Sequence, residues 1–401
     1  MPYPRSAGTI EAELGAIAGA FPDTCAITPL PNATHNGRQV WRLEIGKAVP
    51  GGPARRVVVI TGGLHAREWA PPDALVSLAG RLLTAYDNGT PLPIPAHTDL
   101  SAQPTPVTYP ATQLPDDDVR RIIERLDIHL VALANPDGRA VSQAHKGNAL
   151  WRKNRRPATP PSTCKGVDVN RNFPVPPDFT EYYSAAAEAY LSASKDPCQF
   201  HHYVGQHAAE EPEVKALMGL IGAGPVDYLV DAHAYSRLIL FPWGIDGLGI
   251  DPLQHWREQK WNRSGVFKGR DGKPGGPYDE FFPNADPDRL LDAHRLVGGL
   301  MRDAILRAAG ADPRAVARSR YSVQPSADIY PAPGMVTDWA LSLNLVPGTL
   351  RPLHAFVIEF GSEENLEGGY WPPVQHFPKI EREIHLAILA LLSHAASLPP
   401  P

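Results

Sequence analysis

Short apolar segments that end at turn residues constrain the fold of this chain more than any other sequence feature. The clearest example is Val57-Val58-Val59-Ile60, which Gly62-Gly63 ends. A strand that is apolar along its whole length is buried on both faces of its sheet. Helical segments alternate with these strands, which predicts an α/β fold: a mixed central β-sheet with helices on both faces. The predicted strands are 39–45, 56–61, 128–134, 227–231, 238–241 and 356–360. The predicted helices are 9–21, 71–86, 116–126, 212–221, 288–309 and 379–398.

The composition is that of a globular chain with a substantial core. Of 401 residues, 43% are hydrophobic and 20% are charged. Because no repeat or linker is visible, we expect residues 1–401 to form one domain, and 44 Pro with 34 Gly indicate many loops. Residues 89–115 are rich in Pro and Thr without an apolar period, which indicates a surface insertion of low order. Asn135-Pro136-Asp137-Gly138 predicts a turn.

Charge and hydropathy exclude several classes of partner. The formal net charge of -5 offers no basic surface for nucleic acid or for an anionic membrane. No apolar run approaches the roughly 18 residues of a membrane span. Glu11 and Glu13 precede only a short apolar stretch at 14–21, so we expect no secretory signal and a cytoplasmic location. Three cysteines are too few for a disulfide scaffold.

Three residues with metal-ligand chemistry follow predicted strands. His65 and Glu68 come directly after the first apolar strand, and His233 ends a later one. Two imidazoles and a carboxylate form a three-ligand set that leaves a fourth zinc position for water. The alternatives are a surface ion pair for His65 and Glu68, and a histidine satisfied by core hydrogen bonds for His233.

Other charged residues fit a catalytic site. Glu359 lies among apolar residues, where burial would raise its pKa towards the range of a general base. The alternative is an edge-strand glutamate that faces water. Arg152 and Arg171 have the planar guanidinium that binds carboxylates with two hydrogen bonds, although a basic loop is usually a solvated surface.

Seven motifs occur in an order that resembles the pancreatic-type zinc metallocarboxypeptidases, the carboxypeptidase A/B family. The resemblance runs from about residue 10 to residue 395. The motifs are His65-Ala66-Arg67-Glu68-Trp69, Asn135-Pro136-Asp137-Gly138, Leu150-Trp151-Arg152-Lys153, Gly166-Val167-Asp168-Val169-Asn170-Arg171-Asn172, His233-Ala234-Tyr235-Ser236, Ile329-Tyr330 through Asp338-Trp339, and Ile358-Glu359-Phe360.

The resemblance implies a role for each matching residue. His65, Glu68 and His233 would bind one Zn²⁺, and Asp168 would hold His65 from behind. Glu359 would activate the zinc-bound water, and Arg152 would stabilise the oxyanion. The remaining residues would bind the substrate: Asn170 and Arg171 at the free α-carboxylate, Tyr330 as a mobile lid, and Arg67 and Tyr235 along the upstream peptide.

The same resemblance places the pocket for the C-terminal side chain. Thr337 would lie at its bottom, where an acid would select Lys or Arg. Asp338 would point away if this segment is a strand. The other predicted pocket residues are apolar or small, which favours an apolar or aromatic C-terminal residue: Leu240, Gly244, Ala332, Met335 and Val357.

The chain also departs from its secreted relatives. We expect no prosegment, and we expect residues 262–287 to form a second insertion. Cys164 and Cys198 match the position of the family's disulfide, so we expect them to lie within bridging distance and Cys25 to stay free. We interpret the extra histidines as surface or loop residues, not metal ligands: His201, His202 and His207.

The expected function is hydrolysis of a C-terminal peptide bond. Its partner would be a peptide or small amide with a free carboxylate, and a monomer is the default. One alternative is a zinc amidase or peptidoglycan-trimming peptidase with the same chemistry. Another is an inactive binding protein, for which a ligand, Arg152 or Glu359 would be expected to be missing; all are present.

Overall fold

The computed structural model describes residues 3–100, 102, 104–144, 146–175, 195–199, 201–244, 287–330, 332–343, 352–362 and 369–401. Its helices are α1 Ala7–Ala20, α2 Ala70–Asn88, α3 Asp116–Arg125, α4 Pro136–Ala144, α5 Pro212–Gly222, α6 Pro287–Ala308, α7 Pro313–Arg318, α8 Val336–Ser342 and α9 Phe377–Ser397. Its strands are β1 Cys25–Pro29, β2 Trp41–Ile45, β3 Arg56–Gly62, β4 Leu92–Ile94, β5 His97–Asp99, β6 Val107–Tyr109, β7 Thr112–Leu114, β8 Leu126–Val131, β9 Tyr228–His233, β10 Leu238–Phe241, β11 Ser322–Pro325 and β12 His354–Glu359.

Eight strands form one mixed sheet in the order β1-β2-β8-β3-β9-β12-β10-β11. Its centre is parallel, since β8, β3, β9 and β12 pair in the same direction. The pairs β1–β2, β2–β8 and β10–β12 are antiparallel. The predicted mixed α/β sheet is therefore confirmed.

Helices cover both faces of the sheet because its central strands are apolar on both sides. In β3, Val58 and Ile60 pack in one core with residues of α1, α2, α3 and α9. Val59 points the other way, into a second core with residues of α5 and α8. Among the described residues, no helix is long and apolar enough to cross a bilayer.

The parallel centre brings several strand ends to one edge of the sheet. Glu359 at the end of β12 is the register partner of His233 at the end of β9. Gly62 at the end of β3 is the partner of Ala232. Residues that follow or end these three strands are therefore neighbours, and this is the edge where open α/β sheets place their sites.

Two expectations for local structure are wrong. Asn135-Pro136-Asp137-Gly138 begins α4 instead of forming a turn, because the Asn135 side chain accepts from Gly138 N–H at 2.8 Å and caps the helix. Residues 89–115 are not of low order, since they contain two antiparallel ladders, β4–β7 and β5–β6. The expected insertion at 262–287 lies outside the described residues apart from its last residue, which begins α6.

A buried polar cluster attaches the loop after Arg152 to α5. Asn154 donates through Nδ2 to Glu211 Oε2 at 2.6 Å and to Glu213 Oε2 at 2.9 Å. His35 Nε2 lies 2.8 Å from Glu211 Oε2. Glu213 is only 1% exposed. Burial raises the pKa of Glu213 to about 7, and the negative charge of Glu211 acts in the same direction.

We expect this raised pKa to make stability depend on pH. The folded protein keeps the Glu213 proton up to about pH 7, whereas a glutamate with its ordinary pKa of 4.5 loses it well below that pH. Because the folded state binds more protons in this window, stability falls as pH rises through it. At about 1.4 kcal/mol per pH unit, the wild type loses up to about 3 kcal/mol. Glu213→Gln should lack this loss.

Urea unfolding at pH 5, 6, 7 and 8 measures the effect. The free energy of unfolding of Glu213→Gln relative to wild type should increase with pH. Glu11→Gln, an exposed position on α1, should follow the wild type. A Glu213→Gln variant that loses as much stability as the wild type between pH 5 and 8 would contradict this explanation.

Candidate active site and metal centre

A tight glycine turn directs the chain from β3 to His65. Gly63 has φ +67°, which favours glycine, and a Cβ there would lie 2.7 Å from Leu133 Cδ1 and 2.9 Å from Pro72 Cγ. The next turn is closed by Glu68 N–H, which donates to the His65 carbonyl. As a result, His65 and Glu68 both project from the same short loop at the end of the strand.

His65, Glu68 and His233 converge in the interior. They are 4%, 3% and 1% exposed, and their ligand atoms all lie within 4.8 Å of one another. His65 Nδ1 is 2.8 Å from Glu68 Oε1, and His233 Nδ1 is 2.9 Å from Glu68 Oε2. The two Nδ1 atoms are 2.9 Å apart. The structure thus brings together the three predicted ligands.

The outer nitrogen of each imidazole faces a second carboxylate. His65 Nε2 is 3.3 Å from Asp168 Oδ1, and His233 Nε2 is 2.5 Å from Asp231 Oδ2. An imidazole that donates its Nε2 proton carries a lone pair on Nδ1. Two such lone pairs then face each other and a carboxylate, which is unfavourable unless a cation lies between them. The donor set of two imidazoles and one carboxylate fits zinc.

The charges of this cluster shift the pKa values of its members. Burial acts to raise the pKa of Glu68. The positive charge that His65 and His233 can carry has the larger effect and holds that pKa well below its usual range. Burial lowers the pKa of His65. Burial also acts to lower the pKa of His233. The negative charges of Asp231 and Glu68 have the larger effect and raise that pKa well above its usual value. The cluster therefore favours an ionised carboxylate at its centre.

Asp231 belongs to the site but was not predicted from the sequence. Its Oδ1 accepts from Thr61 Oγ1 at 2.7 Å, which fixes the carboxylate that faces His233. Strand alternation could have indicated this contact. Asp231 and His233 are two residues apart on β9, so their side chains lie on the same face of the sheet.

Arg152 lies beside the ligands and is held by Asp168. Its Nε donates to Asp168 Oδ2 at 2.8 Å, and its Nη1 lies 3.9 Å from Glu68 Oε1. The backbone carbonyl of Arg152 accepts from Ala66 N–H, which joins its loop to the His65 loop. Asp168 thus faces His65, its predicted partner, and also holds Arg152, which was not predicted as its partner.

Glu359 is in an interior strand, not at a sheet edge. It ends β12, which lies between β9 and β10, and it lines the same cavity as His65 and Arg152. Burial raises its pKa to about 7, and the negative charge of Glu68 acts in the same direction. Such a carboxyl is suited to exchange protons near neutral pH.

Arg171 and Tyr330 close another side of this cavity. Arg171 Nη2 donates to Tyr330 Oη at 3.1 Å, and both line the cavity with Asn170. The Asn170 side chain accepts from Val336 N–H at 2.9 Å, and its Nδ2 lies 3.5 Å from His233 Nε2. Gly334, with φ +78°, packs against Arg171, and a Cβ there would lie 2.2 Å from the Arg171 carbonyl oxygen.

Four of the five apolar or small pocket residues form the opposite wall. They pack in one buried cluster with Tyr330 and Leu238, and they line the cavity: Leu240, Ala332, Met335 and Val357. Gly244 supports this wall from outside, because a Cβ there would lie 2.5 Å from Met335 Sδ.

Thr337 is not among the residues that line this cavity, and it is fully buried in α8. The strand considered for this segment is wrong, since 336–342 is helical and alternation does not orient Asp338. Asp338 is nevertheless turned elsewhere, because both of its carboxylate oxygens lie 2.9 Å from Gly244 N–H. The part of the cavity wall formed by Leu240, Ala332, Met335 and Val357 is therefore apolar, and Asp338 adds no charge to it.

A second cluster forms around Arg67. Its guanidinium lies 3.9 Å above the Tyr370 ring, and its Nη1 donates to His201 Nδ1 at 2.9 Å. Tyr235 packs against Tyr370 with ring centroids 4.9 Å apart. Tyr370 was not predicted from the sequence, and His201 was expected only as a surface or loop residue; their positions beside Arg67 depend on contacts between distant segments.

The other extra histidines differ from each other. The His202 ring lies 5.8 Å from the Tyr330 ring, so this loop residue borders the site. His207 is exposed, as expected.

A disulfide joins Cys164 and Cys198, whose Cα atoms are 5.1 Å apart, and Cys25 is free and buried. Both expectations for the cysteines are confirmed.

The fold and the site together define an α/β protein with a candidate single-metal centre at the carboxyl edge of its parallel strands. Comparison with known families identifies it further. The model of the zinc carboxypeptidase family matches residues 10–386, and the chain belongs to that family.

Individual relatives are distant. Carboxypeptidase A4 of Mus musculus is 29% identical over 233 residues, which are 58% of this chain and 45% of the relative. Carboxypeptidase A1 of Homo sapiens is 29% identical over 212 residues, 53% of this chain and 40% of the relative. The chain thus matches less than half the length of these two relatives. The structure of carboxypeptidase A from Helicoverpa armigera has a TM-score of 0.63 at 20% identity, covering 98% of this chain and 73% of that one, and supports the fold.

Proposed function

We propose that this protein is a zinc carboxypeptidase that removes apolar or aromatic residues from the C-termini of peptides. One observation carries the proposal: a candidate metal ligand, a carboxyl with a pKa of about 7 and two arginines line the same small cavity. Membership of the zinc carboxypeptidase family supports zinc as the metal and a peptide as the substrate.

His65, Glu68 and His233 would hold a single zinc ion. When bound there, zinc would act as a Lewis acid on the scissile carbonyl and on a water molecule. Asp168 and Asp231 would fix the two imidazoles with their lone pairs directed at the metal, because a carboxylate faces the outer nitrogen of each ring.

The side chains around the cavity supply the remaining chemistry. Arg171 and the hydroxyl of Tyr330 would bind the terminal carboxylate of the substrate. Glu359 would take a proton from the attacking water as its oxygen bonds to the carbonyl carbon. It would then give that proton to the amine as the C–N bond breaks. The guanidinium of Arg152, held in place by Asp168, would stabilise the negative charge on the carbonyl oxygen.

We expect Asp231 to matter for metal binding. Asp231→Asn removes the carboxylate that holds His233 and should weaken zinc binding about 10–100-fold, the usual effect of losing such a partner. His233→Ala should lose most of the metal. Competition with a chromophoric chelator measures both affinities. Asp227→Asn, just before the opposite end of β9, is the matched control and should bind zinc normally.

Wild-type zinc affinity in Asp231→Asn would exclude this carboxylate as the residue that holds His233. Full zinc occupancy in His233→Ala would contradict the ligand set itself.

We expect the apolar side of the cavity wall to select the C-terminal residue. Apolar side chains gain about 25 cal/mol per Å² removed from water, whereas the head of a Lys or Arg would meet no acid on this side. kcat/KM for matched blocked dipeptides should be at least tenfold higher with Phe or Leu than with Lys or Arg. Met335→Gly should raise the relative rate for Trp, because Met335 fills part of the cavity.

A tenfold preference for Lys or Arg would show that an acid reaches the cavity and would contradict this assignment. Turnover of none of these dipeptides would contradict the proposed carboxypeptidase activity.

A further inference from the structure

The side chain of Asn154 uses every hydrogen-bonding position that it has. Its Nδ2 donates to Glu211 Oε2 and to Glu213 Oε2. Its Oδ1 accepts from Arg156 N–H at 3.2 Å and from Val167 N–H at 2.9 Å. An amide has two N–H donors and an oxygen with two lone pairs, so all four positions are filled. Because Asn154 is also fully buried, any movement of its side chain breaks hydrogen bonds that water does not replace.

The backbone of Asn154 joins two segments of the site. Its N–H donates to the Val167 carbonyl at 2.9 Å. Gly166, with φ +85°, lets the segments approach each other, because a Cβ there would lie 2.5 Å from the Asn154 carbonyl oxygen. Arg152 is two residues before this junction in one segment, and Asp168 directly follows Val167 in the other.

The position of the Arg152 guanidinium depends on the same two segments. The guanidinium is buried, and its Nε donates to Asp168 Oδ2 at 2.8 Å. The proposed contact with the oxyanion requires a donor about 3 Å from that oxygen. A misplacement of about 1 Å can cost about 100-fold in rate. Because Asn154 joins the two segments, it restricts the movement of both partners of this ion pair.

The two carboxyls that hold Asn154 differ in their partners. Glu211 Oε1 accepts from Arg156 Nη1 at 2.7 Å, and its Oε2 lies 2.8 Å from His35 Nε2. Burial acts to raise the pKa of Glu211, but the hydrogen bonds from His35, Asn154 and Arg156 have the larger effect and lower it. Glu213 Oε1 has no hydrogen-bond partner in the described part of the chain. An ionised Glu213 would therefore be a poorly compensated buried charge beside Glu211.

We propose that Asn154, held between Glu211 and Glu213, is a positioning residue that keeps the Arg152 guanidinium directed at the carbonyl oxygen of the substrate. This inference rests on the proposed carboxypeptidase function and adds the residues that support its oxyanion contact. While Glu213 is neutral, both carboxyls hold the amide. When Glu213 loses its proton, Glu211 repels it, the hydrogen bond to Asn154 is disturbed, and Arg152 stabilises the oxyanion less well.

The pH dependence of kcat tests this role through a conservative variant. The charged and titratable groups around Glu213 are Glu211 on the same helix, His35 from the loop between β1 and β2, and Arg156, which pairs with Glu211. All three remain in Glu213→Gln, which has the shape of the neutral carboxyl. The ratio of the kcat values of this variant and the wild type therefore isolates the ionisation of Glu213.

Both zinc-loaded proteins are assayed with a blocked dipeptide that ends in Phe. At pH 6 their kcat values should agree within twofold. At pH 8.5 Glu213→Gln should be at least threefold faster than the wild type, with KM within twofold. Glu210→Gln is the matched control, since Glu210 pairs with Arg156 on the outer side of the cluster. Its kcat relative to wild type should not change with pH.

A double-mutant cycle tests whether Asn154 acts through Arg152. Asn154→Ala should lower kcat about tenfold or more and leave KM within twofold, because the oxyanion charge develops only in the transition state. In the Arg152→Gln background the same substitution should lower kcat less than threefold, since the guanidinium that it positions is gone. If Asn154→Ala fails to fold, the pH dependence of Glu213→Gln still decides the proposal.

Equal losses of kcat from Asn154→Ala in both backgrounds would overturn the proposal and leave Asn154 as a support of the fold alone. A ratio of Glu213→Gln to wild type that stays constant from pH 6 to pH 8.5 would overturn it too. Turnover of the dipeptide by the wild type tests the proposed function separately. An enzyme that hydrolyses it with a constant ratio retains the function and loses this inference, whereas a wild type without turnover loses both.

Discussion

Two imidazole lone pairs and a carboxylate that face one another are the constraint on which the rest of the site depends. When neither Nδ1 carries a proton, His65, His233 and Glu68 turn lone pairs towards one another, and a divalent cation makes their contacts of 2.8–2.9 Å favourable. The surrounding structure holds them in this arrangement. Asp168 and Asp231 fix the outer nitrogens, and both carboxylates are themselves held, by Arg152 and by Thr61.

The sheet explains how residues so far apart in sequence reach these positions. His65 follows β3, His233 ends β9 and Glu359 ends β12, and these three strands are parallel neighbours. Both sides of each strand are covered by helices, so the loop at the carboxyl edge is anchored by two hydrophobic cores. Arg171 and Arg152 come from loops that cross this edge. The base and the arginines therefore border one cavity, although 207 residues separate Arg152 from Glu359.

The parts of this arrangement that follow local rules could be predicted from sequence. Apolar runs gave β3, β9 and β12, and a polar residue at the end of each run indicated His65, His233 and Glu359. Short segments whose sequence suits two kinds of local structure could not be assigned. Asn135-Pro136-Asp137-Gly138 suits both a turn and a helix start, and 336–342 is too short for periodicity to distinguish a strand from a helix. Tyr370 and His201 meet Arg67 only through the tertiary fold, which no local pattern encodes.

The most direct test of the central claim is whether the site requires a free C-terminal carboxylate. Arg171 is 7% exposed, so an amidated substrate would leave its charge without the proposed anionic partner. Losing such a partner costs about 2–5 kcal/mol. The kcat/KM of the zinc enzyme for a blocked peptide ending in Phe should therefore fall about 30-fold or more when the C-terminus is amidated. Equal kcat/KM values for the free and amidated peptides would contradict the account.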